Sequence, residues 1–192
     1  MGLRSNNEIR ESMNSGVEAF DILGYKGGLE GSYGDLFRME LGNFLIWLAA
    51  SDGVIKWSEA YFISDCLEQD LAPTSVVAYM RKSDICWDEF AQQVPLSFDM
   101  SVQIDNQLFE QGQDSTVSDT LFNLYLEFGS MIATADGDID EQEQINYDAY
   151  LTMLNSYLDD HLLCRGAAAP DPGADRIAEL NKKASVNAPK KS

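Results

Sequence analysis

Six carboxylates carry the chemistry this chain could do. Asp136, Asp138, Asp140 and Glu143 crowd into F-G-S-M-I-A-T-A-D-G-D-I-D-E-Q-E, from Phe128 to Glu143. Asp52 and Glu59 belong to a matching stretch, F-L-I-W-L-A-A-S-D-G-V-I-K-W-S-E, from Phe44 to Glu59. Oxygen-only donors at this density suit hard cations such as Ca²⁺, Mg²⁺ or Mn²⁺. Carboxylates brought together repel one another unless they are protonated, separated by helix N-termini or bridged by a cation. The same acids also have a purely structural use. An Asp-Gly pair stops a helix, because Gly adopts the left-handed conformation cheaply. Asp140 with Glu143 makes a capping pair for the next helix, and acids in a first turn gain about 0.3–1 kcal/mol from the helix dipole. Capping explains the first turn less well, because Lys56 stands at the cap position and cannot accept a hydrogen bond. Both readings, cation ligand and cap, stay open from the residues alone.

The elements that must position these acids follow from the repeat. Phe44, Ala49, Asp52, Gly53, Ile55 and Glu59 recur as Phe128, Ala133, Asp136, Gly137, Ile139 and Glu143, at a constant offset of 84 residues. This predicts a duplicated helix–turn–helix hairpin. After each tight turn, the first-turn Glu would point back toward the Asp that closed the preceding helix. An approximate twofold relation would then bring Asp52, Glu59, Asp136 and Glu143 together.

Helical periodicity predicts elements over Ser5–Leu23, Asp35–Ser51, Trp57–Leu71, Pro73–Arg81, Asp84–Val94, Leu96–Glu110, Ser118–Ala135 and Glu141–Leu163. Ser5 with Glu8 reads as a capping box, and Pro73 suits a first helical turn. Tyr61, Phe62, Cys66 and Leu67 are expected inward, and Ser118–Ala135, the longest and most apolar run, is expected to be the central, most enclosed helix. No segment alternates with a period of two, so the fold class is all-α. The expected organisation is an N-terminal helix and Gly-rich connector over 1–31, a helical domain over 32–165, and a linker with a basic tail over 166–192.

Other site chemistries fail on spacing. An EF-hand would need Gly where Glu141 stands and Glu where Tyr147 stands. A di-iron bundle needs repeated Glu-x-x-His, and the chain has one histidine, His161, expected on a helix surface or C-terminal turn. Zinc lacks its His and Cys clusters. The glycine-rich Gly24–Gly34 has no GK[ST] after it and reads as a connector. Cys66, Cys86 and Cys164 are odd in number and widely spaced, which predicts reduced thiols in a cytoplasmic protein. No run approaches a membrane span, so direct membrane insertion is not expected.

Net charge is −19. The tail from Gly166 holds five basic and three acidic residues, which leaves 8 basic against 29 acidic, a net of −21, for the rest. Such a surface repels phosphate, so nucleic acid is not an expected partner, whereas cations and basic protein surfaces are. The basic tail reads as a frayed terminus, or else as a docking arm. Trp47, Trp57 and Trp87 read as core or rim, with Trp57 an anchor for a partner if exposed.

The ordered pair A-A-S-D-G-V-I-K-W-S-E (Ala49–Glu59) and A-T-A-D-G-D-I-D-E-Q-E (Ala133–Glu143) resembles the tellurite-resistance TerB family and its TerB-like relatives, over about Ser32–Leu163. The resemblance implies a helical bundle of two pseudo-symmetric halves, divalent cation binding at the two D-G…E turns with Ca²⁺ foremost, and a non-catalytic role in tellurite and stress responses through protein complexes. Carried over by position, it implies Asp52, Glu59, Asp136 and Glu143 as ligands. Asp138 and Asp140 are additions outside its pattern, and Lys56 departs from it. Two other functions compete: a metal-assisted hydrolase using the Asp/Glu cluster as acid and base, and an acidic mimic of nucleic acid.

Overall fold

The computed structural model describes residues 10–11, 13–18, 32–135 and 140–165. Every regular element among them is helical: α1 (Tyr33–Ala49), α2 (Trp57–Leu67), α3 (Pro73–Lys82), a 3₁₀ helix (Trp87–Gln92), α4 (Leu96–Glu110), α5 (Val117–Ile132) and α6 (Glu141–His161). None of the described helices is long and apolar enough to cross a membrane. Residues 10–11 and 13–18 are also helical, and Arg10 binds Asp65 on α2 at 2.6 Å. The Ser5–Glu8 cap and the tail from Gly166 lie outside the described residues.

The two hairpins share one chain spacing. α1 and α5 start at 33 and 117, α2 and α6 at 57 and 141, so both intervals equal the 84-residue offset of the repeat. Repeated residues hold like environments: Phe44 and Phe128 are fully buried, and Ala49 and Ala133 nearly so.

α1 is the centre of the bundle, packing on α2, α4, α5 and α6. Ten of its 17 residues are buried, against seven of 16 in α5. The expectation that Ser118–Ala135 is the central, most enclosed helix is thus corrected, since α1 holds that place. The reason is a polar stripe on α5 (Asn123, Glu127, Ser130, Thr134) that its apolar length conceals.

An aromatic cluster fills the centre. Phe44 stacks on Tyr150 with ring centroids 4.6 Å apart, and Tyr125 meets Phe44 edge-on at 5.3 Å. Phe90 covers Tyr150 at 5.8 Å, which is how the 3₁₀ segment joins the core. That segment is a second correction, because a helix was expected over Asp84–Val94. Trp87 and Phe90 both turn inward at a spacing of three, the period of a 3₁₀ turn, and Pro95 disfavours helix in the residue before it. The Trp87 indole N–H donates to Met80 O at 2.9 Å, which pins the turn.

Two helix starts without a local acceptor receive one from elsewhere in the fold. Pro95 offers α4 no side-chain cap, and Glu40 of α1 supplies it, accepting from Leu96 N and Ser97 N, each at 2.8 Å. Thr116 makes no cap bond to α5, and Asp105 of α4 accepts instead from Val117 N at 3.0 Å and Ser118 N at 2.8 Å.

Close approach of α5 to its neighbours depends on Gly129. A Cβ there would lie 2.5 Å from Tyr147 Cε2 and 3.0 Å from Phe44 Cζ. The Tyr147 ring cannot easily yield, because its hydroxyl donates to Leu126 O at 2.7 Å. Alanine would gain about 1 kcal/mol in helix propensity, but overpacking costs about 1–3 kcal/mol. Gly129→Ala is therefore expected to lower the unfolding free energy by about 1–2 kcal/mol in urea titration.

Candidate acidic site

The first turn closes α1 as its residues dictate. Gly53 takes φ +83°, and Asp52 Oδ1 accepts from Val54 N at 2.7 Å. Lys56 begins α2 and contributes no side-chain cap. Glu59 instead reaches back to accept from Lys56 N at 2.7 Å. The Lys56 ammonium stands 3.9 Å from Glu59 Oε1 and 4.0 Å from Asp52 Oδ2. Lys56 thus acts as a tethered counter-ion for both predicted ligands of this turn, which disfavours a second cation there.

At the second turn Asp140 Oδ1 accepts from Gln142 N at 2.7 Å, and Glu143 accepts from the Asp140 N–H. The expected capping pair is present. Asp136 and Asp138 lie outside the described residues.

Both first-turn glutamates are buried. Glu59 is 1% and Glu143 2% exposed, unusual for carboxylates, which ordinarily stay in solvent. Oε1 of Glu143 is buried with no hydrogen-bond partner among the described residues. Burial raises the Glu143 carboxyl to about 7, Glu59 and Asp52 add repulsion, and Lys56 offsets part of it. The carboxyl of Glu143 thus feels charges of the first hairpin, while the meeting of Asp52, Glu59, Asp136 and Glu143 expected from the doubled motif is a proposal. A direct bond from Asn146 Nδ2 on α6 to Ser51 Oγ, 2.8 Å long, ties the first turn to the second helix pair. Nothing in the motif pointed to Asn146; its one sequence signal is a polar residue three positions after Glu143, on the same helix face. Among the described residues no three acidic, His or Cys side chains converge as a complete ligand set.

An orphaned buried oxygen and carboxylate repulsion are what an oxygen-preferring cation relieves. Glu143 would be its first donor, and Asp140 has one oxygen beyond its cap bond.

Other predicted features sit apart from this site. His161 is exposed, stacks on Tyr157 at 4.0 Å and contacts Tyr157 O through Nδ1, as a C-terminal-turn residue. Cys66, Cys86 and Cys164 are free thiols, and burial pushes Cys66 up. A cavity of about 440 Å³ between α1, α2 and α3, rimmed by Asp35, Arg38 and Tyr79, includes none of the predicted acids. Compared with known proteins, the chain matches no family model, no curated sequence and no solved structure.

Proposed function

We propose that the chain is a non-catalytic, TerB-like protein-interaction module of the tellurite and stress-response type, built from two pseudo-symmetric halves. Its acidic turns take up one divalent cation, Ca²⁺ in preference to Mg²⁺ or Mn²⁺. The observation that carries the cation reading is the buried Glu59–Glu143 pair with its partnerless Glu143 Oε1. Ca²⁺ tolerates irregular oxygen sets, whereas Mg²⁺ demands a near-octahedral one. Lys56 disfavours an ion at the first turn, and in the second Asp136, from the repeat, and Asp138, outside it, are the further candidate donors. The interaction reading draws on the strong negative charge and the TerB-like pattern, and it places the module in the cytoplasm beside protein partners.

The test is a thermal melt in EDTA and in millimolar Ca²⁺, Mg²⁺ or Mn²⁺. At 100-fold excess over its dissociation constant, Ca²⁺ is expected to add about 2.7 kcal/mol, with smaller gains for the others. Identical melts in all four conditions would remove the cation and leave a proton and Lys56 to hold the pair.

One observation favours the hydrolase reading: a carboxyl raised to about 7 is suited to proton transfer. Its near-complete burial argues against substrate access. Turnover of an ester or phosphoester that Glu143→Gln abolished would install that reading instead.

A further inference from the structure

We propose that the interior of the bundle holds an ordered water molecule where α1, α4, α5 and α6 meet, bound by the hydroxyls of Ser97, Tyr125 and Tyr150 beside the Glu40 cap. The inference is independent of both the cation and the interaction reading. Ser97, Tyr125 and Tyr150 are each 0% exposed, and their hydroxyl oxygens have no hydrogen-bond partner among the described residues. A hydroxyl taken out of water without a partner costs stability. Three of them gathered at one helix junction call for a shared partner.

Direct contacts bring the three together. Ser97 stands in the first turn of α4, where its N–H donates to Glu40 Oε2 at 2.8 Å and its carbonyl accepts from the Tyr33 hydroxyl of α1. The next residue, Phe98, meets Tyr125 edge-on at 6.4 Å, and Tyr125 packs on Tyr150 with ring centroids 5.9 Å apart. The rings cannot swing to pair with one another. Phe44 lies against both, and Phe90 covers Tyr150 from the 3₁₀ segment. Ser97 Oγ is near enough to bear on the Glu40 carboxyl and the Tyr125 hydroxyl, yet it meets neither in hydrogen-bond geometry. Polar groups that face one another without closing a bond are the setting a bridging water fits.

Hydrogen-bond chemistry decides the occupant. Each of the three hydroxyls has a proton to give. A metal cation cannot accept one, and an anion would be repelled by the Glu40 carboxylate. That carboxylate already accepts from Leu96 N and Ser97 N, so it does not need a cation to be satisfied. A water molecule accepts two bonds and donates two. It can take the protons of Tyr125 and Tyr150 and give one of its own to Ser97 Oγ, the three bonds usual for an interior water. The Ser97 proton is then left for Glu40. Held this way, the water joins α4, α5 and α6 through directed bonds, in a region where the other contacts are apolar rings.

The test pairs diffraction with unfolding, both on the full-length chain. A crystal structure at atomic resolution is expected to show one ordered water about 2.7–3.2 Å from the Tyr125 and Tyr150 hydroxyls. Tyr125→Phe and Tyr150→Phe keep each ring and remove only its hydroxyl, so both variants retain the packing. Each is expected to lower the folding equilibrium constant by about fivefold in urea titration. The double variant is expected to lose less than the two single losses multiplied, because the first substitution already loosens the water. Hydroxyls bonded directly to one another, or no density between them, would overturn the site. So would a phenylalanine variant as stable as the native chain or more so, since deleting a hydroxyl with no partner removes a burial cost.

Discussion

Replacing Asp105 by alanine is expected to destabilise the fold by about 3–5 kcal/mol, the largest effect of any single polar substitution on this chain. The carboxylate is only 4% exposed and accepts from Val117 N, Ser118 N, Ser118 Oγ at 2.5 Å and the Ser115 hydroxyl. Truncation strands two backbone donors at the head of α5 and two hydroxyls, in a place where water cannot reach Ser118. A surface cap costs about 1 kcal/mol when lost, but here the cavity and the orphaned donors add to it. Asp105→Asn keeps one acceptor oxygen and is expected to cost about half as much. Urea unfolding by circular dichroism reads both, and a midpoint shift equivalent to less than 1 kcal/mol for the alanine variant would refute the assignment of Asp105 as the cap.

The second expected result concerns Glu143→Gln, and its sign depends on pH. The Glu143 carboxyl titrates at about 7 in the fold against 4.5 for the free side chain, through burial first and repulsion from Glu59 second. A raised acid contributes its full stability below pH 4.5 and loses it as pH climbs through 7. The ceiling on this loss is about 3 kcal/mol, and screening near a turn reduces it to about 1–2 kcal/mol. Glutamine keeps an acceptor for the Asp140 N–H and offers an amide donor toward Glu59. In EDTA, the variant is therefore expected to be about 1–2 kcal/mol more stable than the native chain at pH 8, and about equal to it at pH 4. In Ca²⁺ the order reverses, because the variant has lost a ligand charge. A variant that tracked the native chain across the pH range would show that the Glu59–Glu143 coupling is energetically empty.

Much of this architecture is written in local signals. Gly53 turns where the Asp-Gly pair says it must, Asp140 and Glu143 cap as a pair, and Pro73 opens α3. The matched spacing of Glu59 and Glu143 placed both on first helical turns. What escaped notice was set at longer range. Tyr61 and Phe62 are adjacent and both aromatic, so hydrophobicity alone cannot say which faces inward; the third dimension seats Phe62 and leaves Tyr61 out. Burial of the acidic pair was missed for a related reason, since carboxylates ordinarily imply solvent. The caps from Glu40 and Asp105 were unreadable because acceptor and donors lie 56 and 12 residues apart. A trace did exist. Pro95 and Thr116 precede helices without an effective cap of their own, and a helix head that lacks a neighbourly acceptor requires one from afar.

Glu40 carries one more implication, for the order in which the chain assembles. Because the head of α4 is sealed by a side chain from α1, that cap closes only once the two helices have docked. The stability it adds to α4, about 1 kcal/mol, is therefore gained only in the assembled bundle, and the two segments support each other.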